Sequence, residues 1–347
     1  MTHRALCLRL DAHALQSNWR WLQRQGGAPA GAAVKADGYG LGAVEVTRRL
    51  AQAGCRDFFV STWAEAEALG PLGQGVSLIV LHGVGTNDCE AALSGTARPV
   101  LNTPRQVARW KEIAPGKPCD VMIDTGMNRL GIRTDELDVL DGVDVATLMS
   151  HLASADEESG LNQAQLERFR AVRAAVPAKR YSLANSAGIC LGTDYGFDLT
   201  RPGLALYGGI PRTEAEGHIA QVAFPEAEVI QRRIVRAGES VGYGATWVAN
   251  SDTEVGVANI GYADGYLRCF AGAGSVMAHG KVLPLVGRVS MDLIAFDCSN
   301  APDLAEGDWV TVDYDLPAAS QSSGLSQYEL LTGLSQRFER RWISAAS

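Results

Sequence analysis

Short apolar runs alternate with helical patterns through the first two thirds of the chain, and this alternation constrains the fold more than any other feature. The predicted buried strands centre on Val34, Val60, Ile79, Val100, Ile123, Leu148, Leu183 and Leu204. Apolar residues at helical spacing separate most of them, at 42–53, 63–69, 87–93, 103–113 and 162–175. Because eight parallel strands close a barrel, the pattern predicts a TIM-type α/β barrel rather than an open doubly wound sheet.

The pattern changes after about Gly217. From Ala227 onward, short apolar runs are separated by Gly, Asp and Asn, which is typical of a mainly β domain. We predict a barrel domain over 1–218 and a C-terminal β domain over 219–347, with the first strand, 5–10, as a candidate to pair with the β domain. Within the β domain, the Ser-rich stretch 318–324 is predicted to be a loop and 328–338 a last helix.

Charge and cysteine content exclude several classes of protein. With 31 Lys and Arg against 39 Asp and Glu, the net charge of −8 predicts no binding to nucleic acid or to an anionic membrane. Seven scattered cysteines without a Cys-x-x-Cys motif predict neither a zinc site nor a disulfide framework. The N-terminal MTHRALCLRLDAH lacks a signal-peptide core, and no long apolar run occurs, so we expect a cytoplasmic protein without a membrane span.

The stretch Gly31–Ala43 places one lysine, Lys35, at the end of an apolar run and just before a series of glycines. A lysine in apolar surroundings loses its proton more readily and can attack a carbonyl to form a Schiff base. Two other interpretations stay open, namely a structural ion pair with Asp37 and a dinucleotide-binding turn with the spacing G-x-G-x-x-A. The acidic residue that such a turn needs, Asp57, comes before the next apolar run instead of ending it, which weakens the second interpretation.

Other polar residues fall where predicted barrel strands end, which is where barrel enzymes carry their chemistry. The residues that form this mouth of the barrel are Lys35, Asp124, Arg129, His151, Asn185, Ser186 and Arg201. Each has a structural alternative, such as a satisfied core histidine, a helix cap at Ser186 or an ion pair of Arg201 with a surface carboxylate. Their joint placement favours one catalytic mouth.

A phosphate site is predicted at the same mouth. Ser186–Gly188 and Gly203 offer a hydroxyl and backbone N–H groups at the starts of predicted helices, and barrels often bind phosphate after strands seven and eight. A lysine that takes an aldehyde beside a phosphate cradle predicts pyridoxal 5′-phosphate as the cofactor.

Eight motifs, in this order along the chain, are similar to those of bacterial alanine racemases. They are AVKADGYGLG, DTGMNRLG, SHLASAD, NSAG, RPGLALYG, VGYGATW, GYADGY and GRVSMD. The resemblance implies a fold-type III pyridoxal-phosphate enzyme with an eight-stranded barrel and a C-terminal β domain. It further implies a head-to-tail homodimer with shared active sites that interconverts L-alanine and D-alanine, for peptidoglycan synthesis or for alanine catabolism.

The resemblance also implies roles for individual residues. Lys35 would hold the cofactor and act as one catalytic base, and Tyr243 of the partner subunit would be the opposite base. Arg129 would contact the phenolic oxygen of the cofactor and the substrate carboxylate. Arg201 would donate to the pyridine nitrogen, and His151 would bond to Arg201. The residues expected to hold the phosphate are Tyr39, Ser186, Gly203 and Leu204. Those expected to line the substrate entrance from the partner are Tyr262, Met291 and Asp292.

One of the departures from the family pattern bears on substrate binding. Many members carry a lysine, modified by carbon dioxide, seven residues before the counterpart of Arg129, and here that position is Met122. We therefore expect weaker or broader recognition of the substrate carboxylate. Three alternatives stay open: a broad-specificity amino-acid racemase with the same catalytic residues, a non-catalytic pyridoxal-phosphate carrier, and a decarboxylase or aldolase of the same fold type. The carrier would lack the β domain, and the decarboxylase or aldolase would place an acid at the position of Arg201 or use a metal.

Overall fold

The computed structural model describes residues 4–343, so the outer limits predicted for the two domains lie outside the described residues. The chain divides into two compact units, residues 14–220 and residues 4–13 together with 221–343. We call them the barrel unit and the β unit and describe each by itself.

The elements follow one another in an order that matches this division. The strands are β1 (Leu6–Asp11), β2 (Ala32–Ala33), β3 (Asp57–Val60), β4 (Ser77–Val80), β5 (Arg98–Leu101), β6 (Cys119–Asp124), β7 (Ile132–Arg133), β8 (Val145–Met149), β9 (Arg180–Ser182), β10 (Ala223–Val235), β11 (Ser240–Val241), β12 (Trp247–Val248), β13 (Thr253–Ala258), β14 (Ser275–Ala278), β15 (Lys281–Val286), β16 (Ile294–Asp297), β17 (Trp309–Val312) and β18 (Glu339–Ile343). The α-helices are α1 (Ala12–Gln25), α2 (Lys35–Tyr39), α3 (Ala43–Ala53), α4 (Trp63–Leu69), α5 (Cys89–Leu93), α6 (Pro104–Ile113), α7 (Gly160–Ala175), α8 (Ser186–Cys190), α9 (Leu316–Ser323) and α10 (Gln327–Thr332).

The barrel unit is built on seven parallel strands in the order β2-β3-β4-β5-β6-β8-β9, with β7 added beside the end of β6. Several strands are buried along their whole length, such as β3 with the sequence DFFV and β8 with VATLM. Parallel strands covered on both faces are expected to read as nearly continuous apolar runs. The predicted α/β barrel with a C-terminal β domain is therefore confirmed as a fold class.

The eighth strand, predicted around Leu204, is wrong. Leu204–Tyr207 is a 3-10 helix, and the eighth position is taken by an irregular segment just before it. In that segment the Arg201 amide donates to the Ala184 carbonyl, while the Thr200 carbonyl accepts from the Gly31 amide. The segment therefore forms backbone hydrogen bonds with both edges of the sheet. It does not continue as a strand, because Pro202 has no N–H to donate to a neighbouring strand. The apolar residues of this stretch predict an extended run, but a tight helical turn buries them equally well.

The β unit contains a closed ring of six antiparallel strands, in the order β10-β13-β16-β15-β14-β17 and back to β10. The 13-residue β10 reaches both neighbours because a register shift between Val229 and Gln231 bends it. Strand β1 pairs with β10, and β18 lies parallel beside β1.

Two local predictions in the β unit are wrong. The Ser-rich stretch forms helix α9, because Asp315 caps its first turn by accepting the Ala318 amide and Gly324 ends it. The last helix is shorter than predicted, since α10 ends at Thr332 before Gly333. Among residues 4–343, no helix is long and apolar enough to cross a membrane, and no cluster of three or more metal-ligating side chains occurs.

Candidate active site

Lys35 lies two residues after the end of β2, as predicted, and begins the short segment α2, whose backbone is a left-handed turn and not a right-handed helix. The next four residues, Ala36 to Tyr39, all have φ between +51° and +62°. For non-glycine residues this region costs roughly 1–2 kcal/mol each. Hydrogen bonds from the Gly38 amide to the Val34 carbonyl and from the Gly40 amide to the Ala36 carbonyl, each 2.9 Å, close the turn. Strain of this kind persists only where the surroundings fix it, and it is concentrated at functional sites.

The turn uses Asp37 for its own closure. The Asp37 carboxylate accepts the Ala43 amide at 2.8 Å, where α3 begins. Within the described residues it forms no ion pair with Lys35, so that alternative is not supported. Burial lowers the pKa of the Lys35 amine, the nearby charge of Arg129 lowers it further, and the charge of Glu65 raises it. The amine is therefore poised to act in its neutral, nucleophilic form more readily than an exposed lysine.

Arg129 lies in the exposed loop that follows β6. The Asp124 carboxylate at the end of β6 organises this loop by accepting three successive amides, of Gly126, Met127 and Asn128, at 2.8–3.1 Å. In the part of the chain that the structure describes, the guanidinium of Arg129 has no hydrogen-bond partner. Its positive charge nonetheless acts on neighbouring residues of the mouth, because it lowers the pKa of Lys35 and of His151.

Arg201 is buried and held by the ends of β8 and β9. One guanidinium nitrogen donates to the Ser182 hydroxyl and the other to the Ser150 carbonyl, each at 2.5 Å. Burial lowers the pKa of Arg201 to about 10, so it keeps its proton at neutral pH. A surface ion pair, the structural alternative, is ruled out by this burial.

His151 follows Ser150 at the end of β8. Burial lowers the pKa of its imidazole to about 3, and the cations Arg201, Arg129 and Lys35 add to the decrease. The ring is therefore neutral across the physiological range. The hydrogen bond expected between His151 and Arg201 is absent from residues 4–343.

The residues predicted for a phosphate cradle come together. The buried Ser186 hydroxyl accepts the Gly203 amide at 2.9 Å and the Ala205 amide at 3.2 Å. A Cβ atom at position 203 would lie 2.2 Å from the Tyr39 hydroxyl oxygen, so only glycine permits this approach. Leu204 begins the 3-10 helix after Gly203. The cap of α8 is Asn185, whose side chain accepts the Gly188 amide, and Ser186 is therefore not the helix cap.

In the β unit, Tyr243 lies between β11 and β12 and is 72% exposed. The loop that contains Met291 and Asp292 contacts the turn at Tyr262, since the Tyr262 amide donates to the Ser290 carbonyl at 3.0 Å. Met291 is 54% exposed and Tyr262 37% exposed. Asp292 accepts a hydrogen bond from Arg337 at 2.8 Å. Tyr243, Tyr262 and Met291 are therefore all exposed side chains of the β unit.

Several residues that shape the site were not found from the sequence. Tyr207 stacks on Tyr39 with ring centroids 4.6 Å apart and donates to the Ala33 carbonyl at 2.7 Å. Ser150 and Ser182 hold Arg201, and nothing in their sequence context marks them. Glu65 does have a signal, because Thr62-x-x-Glu65 has the spacing of a capping box and forms one.

Comparison with known proteins agrees with this arrangement over nearly the whole chain. The model of the alanine racemase N-terminal domain matches residues 10–211, and that of the C-terminal domain matches residues 222–342. Two relatives from Agrobacterium fabrum are a biosynthetic alanine racemase, 38% identical with 98% of this chain and 94% of the relative covered, and a catabolic one, 40% identical with 97% and 92% covered. The crystal structure of alanine racemase from Bartonella henselae with covalently bound pyridoxal phosphate is 33% identical, with a TM-score of 0.89, and the match covers 98% of this chain and 100% of that one. The chain therefore belongs to the alanine racemase family.

Proposed function

We propose that this protein interconverts L-alanine and D-alanine with pyridoxal 5′-phosphate bound at Lys35. The observation that carries the proposal is the joint placement of an amine with a lowered pKa and a buried cradle formed by Tyr39, Ser186 and Gly203. Relatives of 38–40% identity across almost their whole length bear the name alanine racemase, which supports the same activity.

The residues present fit this cofactor. The close approach of Tyr39 to Gly203 leaves a cradle that a Cβ atom would fill, and Leu204 begins a helical turn there, whose first amide would suit a phosphate. Lys35 would hold the aldehyde, while the phosphate would lie against Tyr39, Ser186, Gly203 and Leu204. When bound, pyridoxal phosphate supplies an electron sink for the charge left at Cα when its proton leaves.

Racemisation removes a proton from one face of Cα and returns one to the other. A single base cannot easily reach both faces, so two bases on opposite sides are the direct solution. We assign Lys35 to one face and Tyr243 of the partner subunit to the other. The high exposure of Tyr243 supports this assignment, because a catalytic phenol needs a protected site that a second protomer can provide. Tyr262, Met291 and Asp292, on the same unit, would line the substrate entrance of the partner's site.

Arg201 would direct the reaction toward racemisation. An arginine stays protonated and so can donate a hydrogen bond to the ring nitrogen without giving it a full proton. The ring then withdraws electrons less strongly than it would beside an acid, which disfavours side reactions such as transamination. Its two hydrogen bonds to Ser182 and Ser150 fix the guanidinium for this role. His151, neutral and beside this cation, would add no further charge, and Arg129 would bind the phenolic oxygen and the substrate carboxylate.

A chiral assay of a panel of amino acids with added cofactor tests the activity and its breadth. We expect alanine to be racemised far faster than larger amino acids, and borohydride reduction to fix a pyridoxyl group on Lys35, found by peptide mass spectrometry. Comparable rates over the panel would instead identify a broad-specificity racemase. A protein that binds the cofactor at Lys35 but racemises nothing would be a carrier, and the proposal would be wrong.

A mixing experiment tests the shared site. Inactive Lys35→Ala and Tyr243→Phe variants should recover activity when they are mixed and allowed to exchange subunits, because one site of each mixed dimer then contains both native residues. Mixtures of Lys35→Ala with the double variant serve as the control and should stay inactive. Absence of recovery after proven exchange would contradict a base supplied by the partner.

A further inference from the structure

One carboxylate, that of Glu65 in α4, anchors the turn after Lys35. Its Oε1 accepts the Ala36 amide at 2.7 Å, and its Oε2 accepts the Ser61 amide at 2.6 Å and the Thr62 amide at 3.2 Å. Ala36 follows Lys35 directly, and Ser61 follows β3. The two oxygens of one side chain therefore join the carboxyl ends of two neighbouring parallel strands.

The backbone alone cannot make this connection. Pairing between β2 and β3 extends to the Val34 amide, which donates to the Phe59 carbonyl at 2.8 Å. At Ala36 the chain turns left-handed with φ +51°, so its amide no longer points along a sheet ladder. Ala36 is exposed, but an ionised acceptor forms a stronger hydrogen bond with a backbone amide than a neutral acceptor or water does. Glu65 supplies that acceptor at the residue next to the lysine.

We propose that Glu65 is a positioning residue for Lys35, which holds the left-handed turn at Ala36 and thereby fixes where the lysine leaves β2. The same carboxylate also acts on the amine through its charge. Among the described residues, the titratable and charged groups that face Lys35 are Arg129, His151 and Glu65. Arg129 and burial lower the pKa of Lys35, and the negative charge of Glu65 raises it. Glu65 thus fixes the place of the amine, and its charge partly offsets the decrease in the pKa of that amine.

This inference rests on the proposed function, in which Lys35 captures the aldehyde of pyridoxal phosphate. The test therefore measures capture itself and not turnover. Protein freed of cofactor is mixed with pyridoxal phosphate over a range of pH, reduced with borohydride after short intervals, and the fraction modified at Lys35 is measured by peptide mass spectrometry. The rate should rise with pH as the amine loses its proton, with a midpoint that reports its ionisation.

Glu65→Gln removes the charge and should lower this midpoint by about one pH unit, because the ammonium form loses its stabilising neighbour. Glu65→Asp keeps the charge but is shorter by one methylene, so it cannot reach both Ala36 and Ser61. We expect Glu65→Asp to keep a midpoint close to wild type while its capture rate at high pH falls about tenfold, since the turn is no longer held. The second variant tests the positioning role even where the first folds poorly.

Two control variants separate positioning from helix stability. Thr62→Ala removes the hydroxyl that accepts the Glu65 amide at 3.2 Å and weakens the helix cap, but it leaves the carboxylate in place. Glu67→Gln makes the same chemical change as Glu65→Gln at an exposed position of the same helix. Both should keep the wild-type midpoint and capture rate.

The outcomes distinguish two failures. If wild-type Lys35 captures no cofactor at any pH, the proposed function is wrong. If the wild type captures cofactor but Glu65→Gln keeps its midpoint and Glu65→Asp keeps its rate, the positioning role of Glu65 is wrong. The role is equally overturned if Thr62→Ala reproduces the changes, because helix stability would then explain them.

Discussion

The two ends of the barrel differ in whether their cationic side chains form ion pairs. At the amino-terminal ends of the strands, which we call the lower end, Arg180 forms two hydrogen bonds with Asp57, at 2.7 and 3.0 Å, and Arg98 pairs with the fully buried Asp120 at 3.0 Å. At the mouth, no carboxylate within the described residues forms an ion pair with Lys35, Arg129 or Arg201. The mouth cations instead lower the pKa of their neighbours, as at Lys35 and His151.

This difference indicates what each end is for. Paired charges at the lower end neutralise one another, and removal of one partner would leave the other charge uncompensated. The unpaired cations at the mouth repel one another and keep that end electropositive, so it favours an anion. A cofactor phosphate and a substrate carboxylate are the anions that the proposed function would supply. Variants at the two ends should therefore separate activity from stability.

The largest effect is expected at the mouth. Lys35→Ala should reduce racemisation by about four orders of magnitude, because it removes both the covalent anchor and one base. Its free energy of unfolding without cofactor should stay within about 0.5 kcal/mol of wild type in a urea titration, since no ion pair is lost. Lys111→Ala, at an exposed helical position, is the matched control and should leave activity unchanged. Retention of more than about a hundredth of wild-type activity by Lys35→Ala would disprove the assigned role.

The converse is expected at the lower end. Asp57→Asn should lower the free energy of unfolding by about 3 kcal/mol, because Arg180 then loses the carboxylate that accepts two of its hydrogen bonds. The kcat/KM of the folded fraction should not change. Asp135→Asn, which breaks an exposed pair with Arg133, should have a much smaller effect on stability. If Asp57→Asn impaired kcat/KM while stability held, the division between the two ends would be wrong.

The next effect depends on pH. The imidazole of His151 has a pKa of about 3 in the folded chain, against an ordinary value near 6.5 when unfolded. Below about pH 6.5 the unfolded chain therefore binds a proton that the folded chain does not, so stability falls as pH falls. Between pH 7 and pH 5 this loss amounts to about 2 kcal/mol. His151→Gln should remove it, which urea titrations at the two pH values would show.

A matched substitution controls for the loss of any histidine. His13→Gln, at an exposed position of α1, should keep the wild-type dependence of stability on pH. Equal acid responses of wild type and His151→Gln would mean that His151 is not held neutral by its surroundings.

The sequence predicted the part of this architecture that depends on periodicity and on residues at strand ends. The positions of Lys35 after a buried strand and of Arg201 beside the last pair of strands could be predicted, because an apolar run and its ends are visible in the local sequence. The eighth strand at Leu204 failed for the converse reason, since a buried 3-10 turn and a short buried strand share the same apolar composition. The left-handed turn after Lys35 was also hard to predict from the sequence. Positive φ is expected mainly at glycine, and three of the four residues in this turn are not glycine.

Contacts between distant segments were beyond sequence reasoning. Ser182 and Ser150 hold Arg201 only because β8 and β9 are neighbours in the sheet. Glu65 is a partial exception. Its capping-box spacing with Thr62 is a readable local motif, but its bond to Ala36 depends on the pairing of β2 with β3. Side chains that act across strands require the register, and the register follows from the whole fold.

The smallest effect is expected at Met122. This residue is buried in β6, where it is paired with Met149 of the neighbouring strand β8. The resemblance to alanine racemases places a lysine modified by carbon dioxide at this position in many members, and Arg129 has no partner in the part of the chain described here. Met122→Lys should then lower KM for alanine by about fivefold, or about 1 kcal/mol, with little change in kcat. Because the modification needs carbon dioxide, the decrease should appear with added bicarbonate and shrink without it.

Met122→Leu is the control, since it keeps an apolar side chain of similar size and should leave KM unchanged with or without bicarbonate. Steady-state kinetics at several bicarbonate concentrations measure all three proteins. If KM of Met122→Lys did not respond to bicarbonate although the protein folded and bound cofactor, orientation of Arg129 from this position would be excluded. The lack of a partner for Arg129 within the described residues would then be a property of the loop that Asp124 organises, and not of the missing lysine.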